Sequence, residues 1–87
     1  MIDRKEKMLL PWETNTYYTK RHYLFDKNNF LYIIKAHNSE DYCSYIFGKL
    51  CWGRTLEEAK INVDKYLIEL GYILIPENKI EQYKTLL

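Results

Sequence analysis

The sequence predicts an α+β fold: an antiparallel sheet of three to four strands with one main amphipathic helix packed on one face, in the order β-β-β-α-β-α. Three observations predict it. Residues 17–52 are dense in aromatic and β-branched side chains interrupted by clusters of turn formers. Residues 55–70 set apolar side chains at helical spacing behind a capping signal. Residues 72–75 form a short apolar run between Gly71 and Pro76.

Residues 1–11 lack periodicity and end at Pro11, which reads as a poorly ordered N-terminal arm preceding a single domain over 12–87, with Trp12 the first anchored residue. The first strand covers 17–25, with Tyr17, Thr19, Arg21, Tyr23 and Phe25 on one face and Tyr18, Lys20, His22 and Leu24 on the other. Asp26-Lys-Asn-Asn29 is a hairpin signal. The strand over 30–36 is almost continuously apolar, so it belongs in the middle of the sheet. Residues 37–41 make a polar turn into a strand over 42–47, which Gly48-Lys49 interrupts before Leu50-Cys-Trp52 resumes it.

Thr55-Leu-Glu-Glu58 has the form of a capping box, and Leu56, Ala59, Val63, Tyr66, Leu67 and Leu70 follow as one stripe. Each such side chain contributes about 1.5 to 3 kcal/mol when buried, so this stripe must lie on the sheet. Gly71 supplies a left-handed stop. Residues 77–86 form a weaker helix with Ile80, Tyr83 and Leu86 on one side.

Composition narrows the function. Hydrophobic residues make up 47% and charged residues 29% of the 87, which favours a folded domain over a disordered chain. The longest apolar runs fall far short of the roughly 20 residues that span a bilayer, so no membrane partner is expected. The first ten residues mix charges and contain no apolar segment of signal-peptide type, which makes a cytoplasmic location, or a host cytoplasm for a phage-encoded chain, the expectation. Two cysteines in such a setting are read as reduced thiols. A net charge of +1 offers no bulk attraction to nucleic acid or anionic lipid, although residues 1–35 carry +3 and residues 36–87 carry −2. Nine tyrosines are a large share for this length; tyrosine suits half-buried strand positions and contact surfaces alike.

No pattern calls for a cofactor or a metal. His22, His37, Cys43 and Cys51 lack the close cysteine pair of common zinc sites. Neither Ser39 nor Ser44 sits in a nucleophile elbow, and a cysteine within an apolar strand is ordinarily inert packing, so Cys43 or Cys51 with His37 as base ranks behind binding functions. Glu40-Asp41 and Glu57-Glu58 have ordinary places in a turn and at a helix start. Three glycines leave no phosphate-cradling loop. Residues 17–23 interleave Lys20, Arg21 and His22 with tyrosines, a pattern that serves stacking on single-stranded nucleic acid and equally a protein interface.

The run Gly53-Arg-Thr-Leu-Glu-Glu-Ala59, entered from a strand and continued to Leu67 and Pro76, resembles HicB-type antitoxins over residues 30–76. The stretch before the helix, Phe47-Gly-Lys-Leu-Cys-Trp52, departs from that family's glycine- and proline-rich pattern. Residues 12–70 are also similar to small uncharacterised phage proteins with an early tryptophan, three strands and a Thr-x-Glu-Glu-Ala helix. The resemblance implies a non-enzymatic protein of phage or mobile-element type that inhibits a partner nuclease or host defence protein by protein–protein contact. The expected partner-binding residues are the exposed members of Tyr17, Tyr18, Lys20, Arg21, Tyr23, Tyr42 and Tyr45. A small nucleic-acid-binding module using the same basic, tyrosine-rich strand is the alternative, and pairing of an exposed edge strand with its copy into a homodimer is a further option.

Overall fold

A computed structural model describes residues 5–15, 19–36 and 40–85. Seven strands and two α-helices occur among them: β1 (Met8–Leu9), β2 (Glu13–Thr14), β3 (Thr19–His22), β4 (Phe30–Lys35), β5 (Tyr42–Ile46), β6 (Lys49–Gly53), α1 (Leu56–Glu69), β7 (Ile73–Leu74) and α2 (Ile80–Lys84). Strands β2 to β6 form one antiparallel sheet in sequence order, and α1 packs on one of its faces, as the sequence predicts. The apolar strand β4 is the central one.

Alternation sorts the side chains. Ile33 of β4, Ile46 of β5 and Cys51 of β6 point toward α1, where Ala59, Val63 and Leu67 of the predicted stripe meet them with Leu9 in the main core. Leu56, Tyr66, Tyr42, Leu31 and Trp12 pack around this cluster. The helix begins as its cap requires, with the Thr55 hydroxyl accepting from the Glu58 amide at 3.1 Å. It ends in a Schellman arrangement: Tyr72 N–H donates to the Leu67 carbonyl and Gly71 N–H to that of Ile68, with Gly71 at φ +87°.

The arm expected over residues 1–11 is corrected for the described part. Met8 and Leu9 are fully buried, and β1 pairs in parallel with β7 through Met8–Ile73 and Leu9–Leu74. The short apolar strand after α1 therefore joins this second, two-stranded ladder, not the main sheet. A bare Met-Leu-Leu run has no period to announce it, and its burial depends on a partner 65 residues away. Met8, Leu24 and Ile75 form a smaller core that Ile80 and Tyr83 of the C-terminal helix cover.

The break foreseen at Gly48-Lys49 is a reversal. Phe47 and Gly48 both have positive φ, 45° and 87°, the signature of a two-residue hairpin turn, so β5 and β6 are separate antiparallel strands.

Candidate functional site

Covering one face of the sheet with α1 leaves the other to be accounted for. On that face lie Lys20 and His22 of β3, Phe30, Tyr32 and Ile34 of β4, Cys43 and Tyr45 of β5, and Leu50 and Trp52 of β6, as the alternation and the register place them. Five large apolar side chains there are strongly exposed: Tyr45 at 73%, Leu50 at 57%, Trp52 at 50%, Tyr32 at 49% and Ile34 at 40%. No helix or strand among the described residues lies over them.

The face is shaped. The β4–β5 ladder runs through Lys35–Tyr42 and Ile34–Cys43, after which the Ser44 hydroxyl donates to the Tyr32 carbonyl at 2.5 Å. Beside that point is a crevice lined by Phe30, Tyr32, Ile34, Cys43, Tyr45 and Leu50. At the β3 end, Lys20 Nζ stands 4.9 Å from the centroid of the Phe30 ring, and the Phe30 ring contacts both His22 and Tyr32. His22 is held by Glu13 at 3.1 Å and by the Lys27 carbonyl at 2.9 Å. The result is an aromatic and aliphatic platform with a cationic margin.

The residues expected from sequence divide sharply. Tyr45 and Lys20 lie on the open face. Tyr17 and Tyr18 lie outside the described residues. Arg21 is corrected: it is 7% exposed and faces the helix, where its Nη2 pairs with Asp64 Oδ2 at 3.1 Å and its Nη1 donates to the Leu10 carbonyl at 2.6 Å. Trp12 Nε1 donates to the same Asp64 carboxylate, and the Arg21 guanidinium stacks over the Trp12 ring at 4.9 Å. This arginine holds the N-terminal segment and β3 to α1, and it is not available to a partner. Tyr23 and Tyr42 pack half-buried against the main core. The Tyr23 ring lies 6.4 Å from that of Tyr72, whose phenol is pushed well above the ordinary tyrosine range, chiefly by burial and then by the neighbouring Tyr23 hydroxyl.

Sequence reasoning missed Tyr32, Ile34, Leu50 and Trp52. Their signal was present in the alternation of β4 and β6, where both faces read as apolar, but nothing local says which face the helix takes. The cysteines point to opposite faces on adjacent strands, Cys43 opposite Trp52 and Cys51 opposite Ser44, so they cannot bridge as placed. Burial pushes the Cys51 thiol up, with Lys49 acting the other way, which lowers its thiolate population. Among the described residues no group of three or more His, Cys, Asp or Glu is gathered as a metal site would be, and no helix is long and apolar enough to cross a membrane. Comparison with protein-family models, with curated proteins and with solved structures finds no match to this chain.

Proposed function

We propose that this chain is a non-enzymatic binding protein of phage or mobile-element type that blocks a partner nuclease or defence protein by laying its open sheet face on it. The observation that carries the reading is the contiguous exposure of Tyr32, Ile34, Tyr45, Leu50 and Trp52 on a sheet already stabilised from its other side. Water-exposed apolar patches of this kind mark interaction sites, and tyrosine and tryptophan are the side chains that most often dominate them. The Lys20 margin adds orientation more than affinity. A rigid antiparallel platform loses little conformational entropy on docking, which suits an inhibitor that acts by occlusion.

The test pairs capture with inhibition. The tagged chain is used to retain its target from host cells, the retained protein is assayed for nuclease or defence activity, and Tyr45→Arg is compared. The variant is expected to weaken binding and inhibition by at least about tenfold, the effect of losing one interface anchor, while the fold is retained because Tyr45 is the most exposed large apolar side chain of the face. Equal inhibition by the variant, or retention of nucleic acid alone with affinity falling steeply in salt, would overturn the reading in favour of another face or of a nucleic-acid module.

A further inference from the structure

The two edges of the main sheet are unlike. β2 is two residues long and carries Glu13, and shortness and charge are usual ways of blunting an edge. β6 is five residues long, carries one charge at its first residue, contains no proline and pairs with β5 in unbroken register. The Phe47-Gly48 turn sets the phase of that ladder. Ile46 and Lys49 flank a two-residue turn and form a hydrogen-bonded pair, so Ser44–Cys51 and Tyr42–Gly53 are hydrogen-bonded pairs as well. The amides and carbonyls of Leu50 and Trp52 consequently point away from the sheet, while their side chains lie on the open face. Asn62 Nδ2 donates to the Trp52 carbonyl at 2.7 Å, which leaves that oxygen a second lone pair. Between this edge and α1 runs a groove lined by Leu50 and Trp52 on one side and by Asn62, Lys65, Tyr66 and Glu69 on the other.

We propose that β6 pairs antiparallel with β6 of a second copy about a two-fold axis at Cys51, joining two five-stranded sheets into one continuous sheet. This register pairs all five residues. Leu50 falls opposite Trp52 of the second copy and each such pair exchanges both of its main-chain hydrogen bonds, while Lys49 falls opposite Gly53. The two Lys49 side chains end up at opposite ends of the seam, roughly 13 Å apart at about 3.3 Å per residue, so no like charges meet. Directly opposed residues share a face, so Leu50 packs on Trp52 of the copy and the two apolar platforms merge. Apolar on apolar, backbone on backbone and no charge conflict make the edge self-complementary, as a two-fold interface requires. The inference concerns the chain by itself and stands or falls without any inhibited partner.

Sedimentation equilibrium of the purified full chain, with amide exchange followed by NMR, tests it. The wild type is expected to show the mass of two chains, with the Leu50 and Trp52 amides gaining protection as protein concentration rises. Trp52→Pro removes an outward amide without touching the β5 ladder and is expected to shift the mass to one chain; Leu50→Lys is expected to do the same through the side chain, should the proline variant fail to fold. A single-chain mass for the wild type up to millimolar concentration overturns the proposal. So does a dimer that survives both β6 variants in their folded forms, or one that Tyr45→Arg dissociates while they do not.

Discussion

At the scale of single residues, Asp64 does more than its place on an exposed-looking helix turn implies. It accepts from Trp12 and from both Nε and Nη2 of Arg21, and so binds three segments together at one carboxylate. Arg21 is nearly buried, and removing its partner strands a charge away from water. Asp64→Ala is therefore expected to cost about 3 kcal/mol, a loss of roughly 12 to 24 °C in Tm for a domain of this size, read by thermal denaturation. Reversing the charge of Arg21 belongs to the same class of change: it acts on stability and gives no clean probe of partner binding. Tyr72 makes a prediction in pH. Its folded phenol titrates above its unfolded value, so folding favours the neutral form. That stabilisation is complete below about pH 10, the unfolded value, and is lost as pH rises beyond it toward the folded one. Denaturant melts of the wild type should weaken more steeply with pH above that value than those of Tyr72→Phe; parallel slopes would contradict the burial of this hydroxyl.

At the scale of elements, Gly53 shows why a motif can recur for structural reasons. A Cβ built there would sit 2.4 Å from the Ala59 amide nitrogen, because α1 starts directly against the end of β6. The neighbour is backbone and cannot swing aside. Gly53→Ala is expected to cost about 1 to 3 kcal/mol through overpacking, measured by urea denaturation. Gly48→Ala offers a useful contrast, since no atom lies within 4 Å of its built Cβ and strain from φ +87° is the whole effect. The Gly-x-Thr-x-Glu-Glu-Ala run thus records a strand-to-helix junction: glycine for close approach, threonine for the cap, acids at the positive helix end and a small residue in the core.

At the scale of the molecule, two cores share the chain. The larger lies between α1 and the sheet, and the smaller is built from β1, the end of the β3 segment, β7 and α2. Leu9 belongs to the first and Met8 to the second, so the segment read from sequence as a loose arm is the joint between them. This arrangement spends the apolar surface of α1 on one side of the sheet and leaves the other side unoccupied among the described residues. Substitutions on the open face, Tyr45→Arg foremost, accordingly act on binding with Tm held within a few degrees, whereas those on the helix side act on stability. The legible part of the candidate site reflects the same division. Tyr45 and Lys20, picked out by residue type, do lie on the open face, while Arg21, Tyr23 and Tyr42 share their composition but face the core.

Local physics wrote the capped helix over Leu56–Glu69, its stop at Gly71, the central place of β4 and the α+β class, because capping, periodicity and turn chemistry each act within a few residues. Tertiary structure alone decided which face of the sheet α1 covers, that β6 ends the sheet, and that Met8 and Leu9 pair with β7. Those outcomes rest on contacts between residues far apart in the chain, and strands apolar on both faces carry no local mark of which side will be buried.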